Sequence, residues 1–359
     1  MIATLNGICP YFTMFPLQFP QRILRRYGIA GQNVLDPFAG RGTTIYAARL
    51  RGMNAYGIDS NPVAVAIARG KLANTTPDRI VKAARGIIKS VPSAERPRSE
   101  FWDLAFDSSV LRTLCRLRAG LMDDSRSDAR QALRALLLGA LHGPTGETIQ
   151  SYFSNQSPRT YAPKPRYSVK FWQARKLTPP KVDVIELIKR RAERFYSGSQ
   201  KTGVGRVIVG DSQCEAVFDR FDSDVSWIIT SPPYYGMRTY GPDQWLRSWF
   251  VGGAPEVNYS SKGQLSHAST NEFCKGLRSV WRNCAAVSKI GCRMIIRFGA
   301  INDRDVEPLK LVKESLTDTG WRVTSCRNAG SAAAGRRQAD HFVSAADAIT
   351  EYDVWTIKD

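Results

Sequence analysis

Short apolar runs alternate with stretches whose apolar residues recur every three or four positions, and this alternation predicts a doubly wound α/β sheet. Strands are expected at 33–36, 55–59, 206–210, 226–230 and 293–298, and helices at 43–51, 62–72, 272–287 and 306–319. Two later segments, 321–327 and 352–357, are expected to pair as a terminal antiparallel hairpin. Between them lies 330–348, an Ala-, Gly- and Arg-containing stretch that reads as a long mobile loop.

The second and third strands are separated by an excess of about 130 residues, where one crossover needs a dozen or so. An inserted lobe is therefore expected at 74–205, dividing a catalytic domain of 1–73 and 206–359. The lobe begins as helices: Leu133, Leu136, Leu137 and Leu141 fall on one face of 129–141, a stripe that reads as packing and not as a ligand site. Its later part changes character. Pro158, Pro163, Pro165, Pro179 and Pro180 interrupt regular structure, and aromatic and basic residues alternate.

Charge gives that region a partner. From 158 to 206, thirteen Lys or Arg against Asp183, Glu186 and Glu193 give a net +10, more than half of the chain's formal +19. A surplus of that size favours association with a polyanion, and nucleic acid is the economical choice; a basic surface serving only solubility is the alternative. Arg159, Tyr161, Lys164, Arg166, Tyr167, Lys170, Trp172, Arg175 and Lys176 form the densest basic and aromatic run. Of these Arg166, Lys170, Arg175 and Lys176 are the candidate nucleic-acid contacts, with a solvated basic face as the competing reading.

Other classes recede. Seven scattered cysteines without a Cys-x-x-Cys pair, with three histidines, indicate neither a disulfide framework nor a metal site. No apolar run approaches the roughly 18 residues that span a bilayer, so the chain reads as cytoplasmic and reduced.

The candidate chemistry begins at Asn33-Val-Leu-Asp-Pro-Phe-Ala-Gly-Arg-Gly-Thr-Thr44, a strand running into a glycine turn and then a helix. Gly40 and Gly42 let the backbone turn tightly and admit a ligand, and the N–H groups of the helix start suit a nucleotide-like molecule. Asp36, Phe38 and Thr43 line the same turn. Asp59 follows Gly40 by 19 positions at the second strand's end, where a carboxylate can accept from both ribose hydroxyls; a helix N-cap is the alternative. Asp211 ends the third strand and can read an adenine amino group, against plain turn chemistry. Ser60 and Ser212 adjoin these two carboxylates.

The most specific string is Ile229-Thr-Ser-Pro-Pro-Tyr-Tyr235. Pro232 and Pro233 remove two backbone donors and stiffen the turn, which leaves the Ser231 hydroxyl and the Pro232 carbonyl as acceptors. An aromatic amino group has its lone pair delocalised into the ring. Two acceptors pulling it toward tetrahedral geometry would free that pair for in-line attack on a sulfonium methyl, with Tyr234 stacked on the base. A base in a duplex must be flipped out to reach such a turn.

Asp36-Pro-Phe-Ala-Gly-Arg-Gly42 and Thr230-Ser-Pro-Pro-Tyr234 resemble motifs I and IV of the amino-methylating DNA methyltransferases, and Ser-Pro-Pro-Tyr is the form typical of the cytosine-N4 group. Tyr11-Phe-Thr-Met-Phe-Pro16 is similar to the family's motif X, which would bring Thr13 to the cofactor, a hydrophobic N-terminal anchor being the other reading. The resemblance covers about 1–73 and 206–359. It implies a Rossmann-like fold with a terminal antiparallel hairpin, S-adenosylmethionine as cofactor, double-stranded DNA as substrate, and room for a cognate restriction or defence-system partner. The large insertion departs from the family's pattern and leaves the element that reads the target sequence open. Cytosine-C5 methylation is disfavoured because its Pro-Cys nucleophile is missing, only Cys9-Pro10 being present in reverse order. Past the diproline turn, Arg238, Tyr240, Trp245 and Arg247 are candidates to touch phosphate or fill the space left by a flipped base, with loop packing as the alternative. Competing functions are adenine-N6 methylation, methylation of an RNA amino group, and a non-catalytic nucleic-acid-binding module.

Overall fold

Residues Asn33–Asp36 (β1), Asn54–Asp59 (β2), Gly205–Val209 (β3), Val225–Thr230 (β4), Ser288–Gly299 (β5), Trp321–Ser331 (β6) and Thr350–Lys358 (β7) form one sheet in the computed structural model. The strand order is β3-β2-β1-β4-β5-β7-β6, and only β7 runs antiparallel to its neighbours. The helices are α1 (Gln18–Tyr27), α2 (Thr43–Leu50), α3 (Pro62–Leu72), α4 (Pro77–Ser90), α5 (Glu100–Ala105) and α6 (Ser108–Asp123), followed by α7 (Asp128–Ala140), α8 (Pro165–Ala174), α9 (Val184–Tyr196), α10 (Trp245–Phe250), α11 (Thr270–Ala286) and α12 (Pro308–Ser315). The structure describes all residues except 1–3, 12–14, 146–149, 159, 199–203, 222–223, 237–241, 258–264, 300–305 and 332–349. Among the described residues no helix is long and apolar enough to cross a membrane, and no group of His, Cys, Asp or Glu could hold a metal ion.

This is a doubly wound, Rossmann-like sheet that ends in the expected antiparallel hairpin. Apolar patterning marked the central strands β1, β2 and β4 because parallel strands buried on both faces read as nearly continuous hydrophobic runs. Two boundaries moved for local reasons. β5 starts at Ser288 rather than 293, because Ser288 pairs with Val225 and Arg293 with Trp227, so a polar bulge that apolar patterning skips lies within the strand. α12 ends at Ser315 rather than 319, where Asp318 and Gly320 take left-handed φ values of 58° and 79°. The hairpin strands reach Ser331 and start at Thr350, and the rest of the expected loop lies outside the described residues.

The chain divides into two compact units. One comprises 11–68, 201–239 and 261–359 and carries the sheet; the other comprises 1–10, 69–200 and 240–260 and is helical. The helical unit thus takes in 1–10 and 240–260, two segments that patterning had grouped with the sheet. Its core explains α10: Trp102 packs on Trp249 with ring centroids 4.6 Å apart, Phe101 on Trp245 at 5.0 Å, and Trp245 donates its indole N–H to the Pro163 carbonyl at 2.7 Å.

In the sheet unit, Leu35, Ile228, Met294 and Ile296 pack with Leu277 and Trp281 of α11 and with Leu311 and Val312 of α12. α1 is held by a charge. The Arg297 guanidinium lies 3.7 Å from the centroid of Phe19 and grips Asp353 of β7 with two bonds, Nε to Oδ1 at 2.8 Å and Nη2 to Oδ2 at 2.9 Å. Both partners are buried and sit opposite one another in the β5–β7 register. Removing one partner of such a pair strands the other charge. Asp353→Ala is therefore expected to cost about 3–5 kcal/mol in denaturant unfolding, while Arg297→Met with Asp353→Leu recovers most of the loss.

Candidate active site

The first parallel strands end at a point where the order reverses: β1 is followed on one side by β2 and on the other by β4. Crossovers leave β1 in opposite directions there, which opens a crevice beyond the strand ends. The glycine loop after β1 and the diproline turn after β4 both begin at that edge.

The loop's conformation requires its glycines. Gly40 has φ +51° and Gly42 φ +76°, and a Cβ on Gly42 would meet the Ala68 Cβ at 2.7 Å. At Gly40 an added Cβ would meet nothing within 4 Å, so the main chain borders open space. Its N–H donates to Asp59 Oδ2 at 2.8 Å, and the other oxygen of that carboxylate accepts from Asn61 N–H at 2.8 Å. Burial raises the Asp59 carboxyl above its ordinary range, against the pull of those two N–H bonds. Asp59 therefore bolts the loop to the β2 end. Ser60 is exposed beside it, and Thr43 is buried at the start of α2.

Sequence reasoning passed over Asn61. Its side chain accepts from Val63 N–H at 2.9 Å and donates to the Tyr11 hydroxyl at 2.9 Å, tying the N-terminal segment to the same turn. The Asp59-Ser-Asn-Pro62 run carried the signal, since Asx residues before Pro start turns and helices.

Asp36 is the buried centre. Its Oδ1 accepts from the Thr230 hydroxyl at 2.7 Å and from Phe38 N–H at 3.1 Å, while Oδ2 is buried with no hydrogen-bond partner among the described residues. Thr44 of α2 donates its hydroxyl to the Ile229 carbonyl at 2.9 Å. Two side chains of the glycine-loop segment thus hold the last two residues of β4. Burial raises the Asp36 carboxyl from 3.8 to about 7, opposed by the Thr230 and Phe38 bonds. Phe38 is half-buried, its ring edge-on to Trp281 at 6.2 Å.

Ser231 and Pro233 are half-buried, Pro232 is buried, and Tyr234 is 8% exposed. The Tyr234 hydroxyl donates to Glu351 Oε1 of β7 at 2.6 Å, and its ring meets Phe298 edge-on at 5.3 Å. Glu351 was invisible to sequence reasoning because it follows the long expected loop and only the antiparallel register brings it here.

The β3 end is more modest. Asp211 is exposed, and its carboxylate accepts from Gln213 N–H at 2.9 Å and from Gln213 Nε2 at 3.2 Å, which is turn chemistry. Ser212 is buried and donates to the Pro37 carbonyl at 2.5 Å. Thr13, Arg238 and Tyr240 lie outside the described residues. Two aromatic and basic candidates are corrected: Trp245 is buried in the helical unit, and Arg247, 3% exposed, donates to the carbonyls of Leu138 and Pro10 and to Gln244 Oε1. Those acceptors hold its guanidinium away from solvent, so it presents no phosphate contact. Trp172 is likewise buried, its indole N–H on the Gln156 carbonyl at 2.8 Å. Arg166, Lys170, Arg175 and Lys176 are exposed.

Residues 4–70 match the sequence model of the N6/N4 methyltransferase family, described as DNA methylase. Type II methyltransferase M.MjaII of Methanocaldococcus jannaschii is 39% identical over 67 residues, which span 19% of this chain and 13% of that protein. Among solved structures, TrmN from Thermus thermophilus is 11% identical, with 100% of this chain and 52% of that one covered and a TM-score of 0.38. The rRNA methyltransferase aviRa from Streptomyces viridochromogenes is 12% identical, with 98% and 87% covered and a TM-score of 0.38. The strand order, not these distant likenesses, carries the fold.

Because the folded protein holds the Asp36 proton up to about pH 7 and the unfolded chain releases it near 3.8, this carboxyl's contribution to stability is full below about pH 4 and is lost as pH rises to about 7. Asp36→Asn keeps an acceptor for Thr230 and removes the titration. Thermal melting is expected to show the Asn variant gaining on the native protein between about pH 4 and pH 7; a constant difference overturns the assignment.

Proposed function

We propose, from the match of residues 4–70 to the sequence model described as DNA methylase, that the chain moves a methyl group from S-adenosylmethionine to the N4 amino group of a flipped cytosine in double-stranded DNA. The observation that carries this reading is the Thr230–Asp36 bond, with its companion from Thr44 to Ile229. Together they join the cofactor-type loop to the Ser-Pro-Pro-Tyr corner across neighbouring strands.

The loop's residues suit the cofactor. Open space beside Gly40 would admit it close to the main chain. Gly40, Gly42, Asp36, Phe38, Thr43, Asp59 and Ser60 would hold it, joined by Asp211, Ser212 and Thr13 as the family resemblance implies. Bound there, S-adenosylmethionine supplies an electrophilic methyl on a sulfonium. The protein's part is positional: the Ser231 hydroxyl and Pro232 carbonyl accept from the amino group and turn its lone pair toward that methyl, Pro233 keeps the corner stiff, and the Tyr234 ring borders the base. Cytosine is favoured over adenine by the Ser form of the corner. Arg166, Lys170, Arg175 and Lys176, with Arg238 and Tyr240, are the proposed DNA contacts.

Labelled methyl incorporation into duplex DNA, followed by mass spectrometry of the nucleosides, tests the whole reading. N4-methylcytosine is expected; N6-methyladenine would move the target to the other ring, and label in transfer RNA but not in DNA would overturn the substrate. Ser231→Ala is expected to lower transfer by roughly 100-fold or more while leaving cofactor affinity unchanged in calorimetry, as for loss of one acceptor aimed at the reacting group. Tyr234→Phe is expected to keep the ring and lose part of the rate by freeing it from Glu351, whereas Asp59→Ala weakens cofactor binding first. Equal loss of affinity and rate in Ser231→Ala and Asp59→Ala would refute this division of labour.

A further inference from the structure

We propose that the exposed face of α8 is a contact surface for the sugar-phosphate backbone of duplex DNA, an inference that rests on the reading of the chain as a DNA methyltransferase. α8 has the sequence PRYSVKFWQA, without an acidic residue. Helical spacing puts Arg166 and Lys170 one turn apart, with Tyr167, Phe171 and Arg175 in the adjoining row. From Arg166 to Arg175 the axis advances about 13 Å at 1.5 Å per residue, long enough to follow several phosphates at about 3.4 Å of duplex axis each.

The buried side fixes the helix. Trp172 is fully buried with its indole N–H on Gln156, and Ser168 bonds Ser157, hydroxyl to hydroxyl, at 3.0 Å. The other side is left to solvent: Tyr167 is 53% exposed, stacks on Phe171 with centroids 6.3 Å apart, and Phe171 in turn carries the Arg175 guanidinium 4.0 Å from its centroid. This ladder restrains a long side chain that would otherwise lose rotamer freedom on meeting a phosphate. Two acids lie beside this helix, and neither pairs with the four cations. Glu100 accepts from Gln173, and Asp243 pairs with Lys164 at 3.9 Å, so Lys164 is left out of the surface. Arg166, Lys170, Arg175 and Lys176 form no ion pair among the described residues.

Lys176 supplies a second, independent observation. It closes α8 in a left-handed conformation, φ +51°, with Lys176 N–H on the Gln173 carbonyl and Leu177 N–H on the Trp172 carbonyl, both at 3.0 Å. That two-bond cap is the usual place of glycine, which enters it without Cβ strain. Folding alone favours glycine here. A lysine at this strained cap puts a cation beside Arg175 at the end of the ladder, and a polyanion is the partner that this charge arrangement fits.

Fluorescence anisotropy with a labelled duplex of about 25 base pairs, titrated at several salt concentrations, reads the surface without any methyl transfer; each phosphate contact contributes about 0.9 to the slope of log affinity against log salt. The variant combining Arg166→Ala, Lys170→Ala, Arg175→Ala and Lys176→Gly is expected to lose about 3 to 4 from that slope. Lys176→Gly alone is expected to lose about 0.9 while its melting temperature stays or rises, so stability and binding move in opposite directions. An unchanged slope in the combined variant, or a Lys176→Gly protein that melts lower and binds equally well, overturns the surface and leaves these residues as helix-capping charges. Transfer RNA competing better than the duplex, with the same four residues responsible, overturns the choice of DNA. The methyl-transfer reading fails separately, by absence of label from DNA under conditions where the native protein still binds the duplex with its full slope.

Discussion

A buried carboxyl holds the two loops of this sheet unit together. Asp36 ends β1 where the strand order reverses, and the Thr230 hydroxyl from β4 reaches it at 2.7 Å. The position is costly for an ionised group, which is why its proton is held up to about pH 7. The same burial shortens the effective leash between two loops. Whatever shifts Asp36 shifts the residue directly before Ser231, so the geometry of the glycine loop and that of the diproline corner are one quantity.

The helical unit shows how far burial decides the fate of one residue type. Arg247 and Arg175 both fall close to aromatic residues in the sequence. The first is enclosed and surrounded by carbonyls, one of them Leu138 near the end of α7, where unpaired carbonyls collect. It serves to close the fold. The second sits over the Phe171 ring, 4.0 Å from its centroid, and is exposed to solvent. Composition could not separate the two, since Trp245-Leu-Arg247 and Phe171-Trp-Gln-Ala-Arg175 offer much the same residues; the carbonyls around them do.

Much of the sheet was legible because strands buried on both faces leave little choice of residue, and Asn33–Asp36 and Pro62–Leu72 fall at the expected limits. The loop glycines were legible for a similar reason: both take positive φ, and at Gly42 a Cβ would also come within 2.7 Å of the Ala68 Cβ. What escaped was long-range. Glu351 is 117 residues from Tyr234, and Thr44 reaches a carbonyl 185 residues away. No local pattern encodes such pairings; they follow from strand register. The division between units escaped as well, because α10 is a short aromatic segment whose partners lie in α5 and near Pro163, and a six-residue helix carries no period to read.

The corner itself combines absence and restraint. Pro232 and Pro233 bring no N–H, and the flanking hydroxyls that could turn inward as donors are drawn off in opposite directions, Thr230 to Asp36 on β1 and Tyr234 to Glu351 on β7. On the proposed reading the corner receives an amino group, and such a site needs acceptors that its own neighbours do not satisfy first. Here the neighbouring donors are bound to two carboxyl groups that belong to different strands, so relaxing the corner would mean breaking buried bonds on both sides. Preorganisation of this kind lowers the reorganisation needed when charge moves during reaction. It also explains why the corner's restraints come from β1 and β7, which flank the β4–β5 pair, and not from the turn's own short sequence.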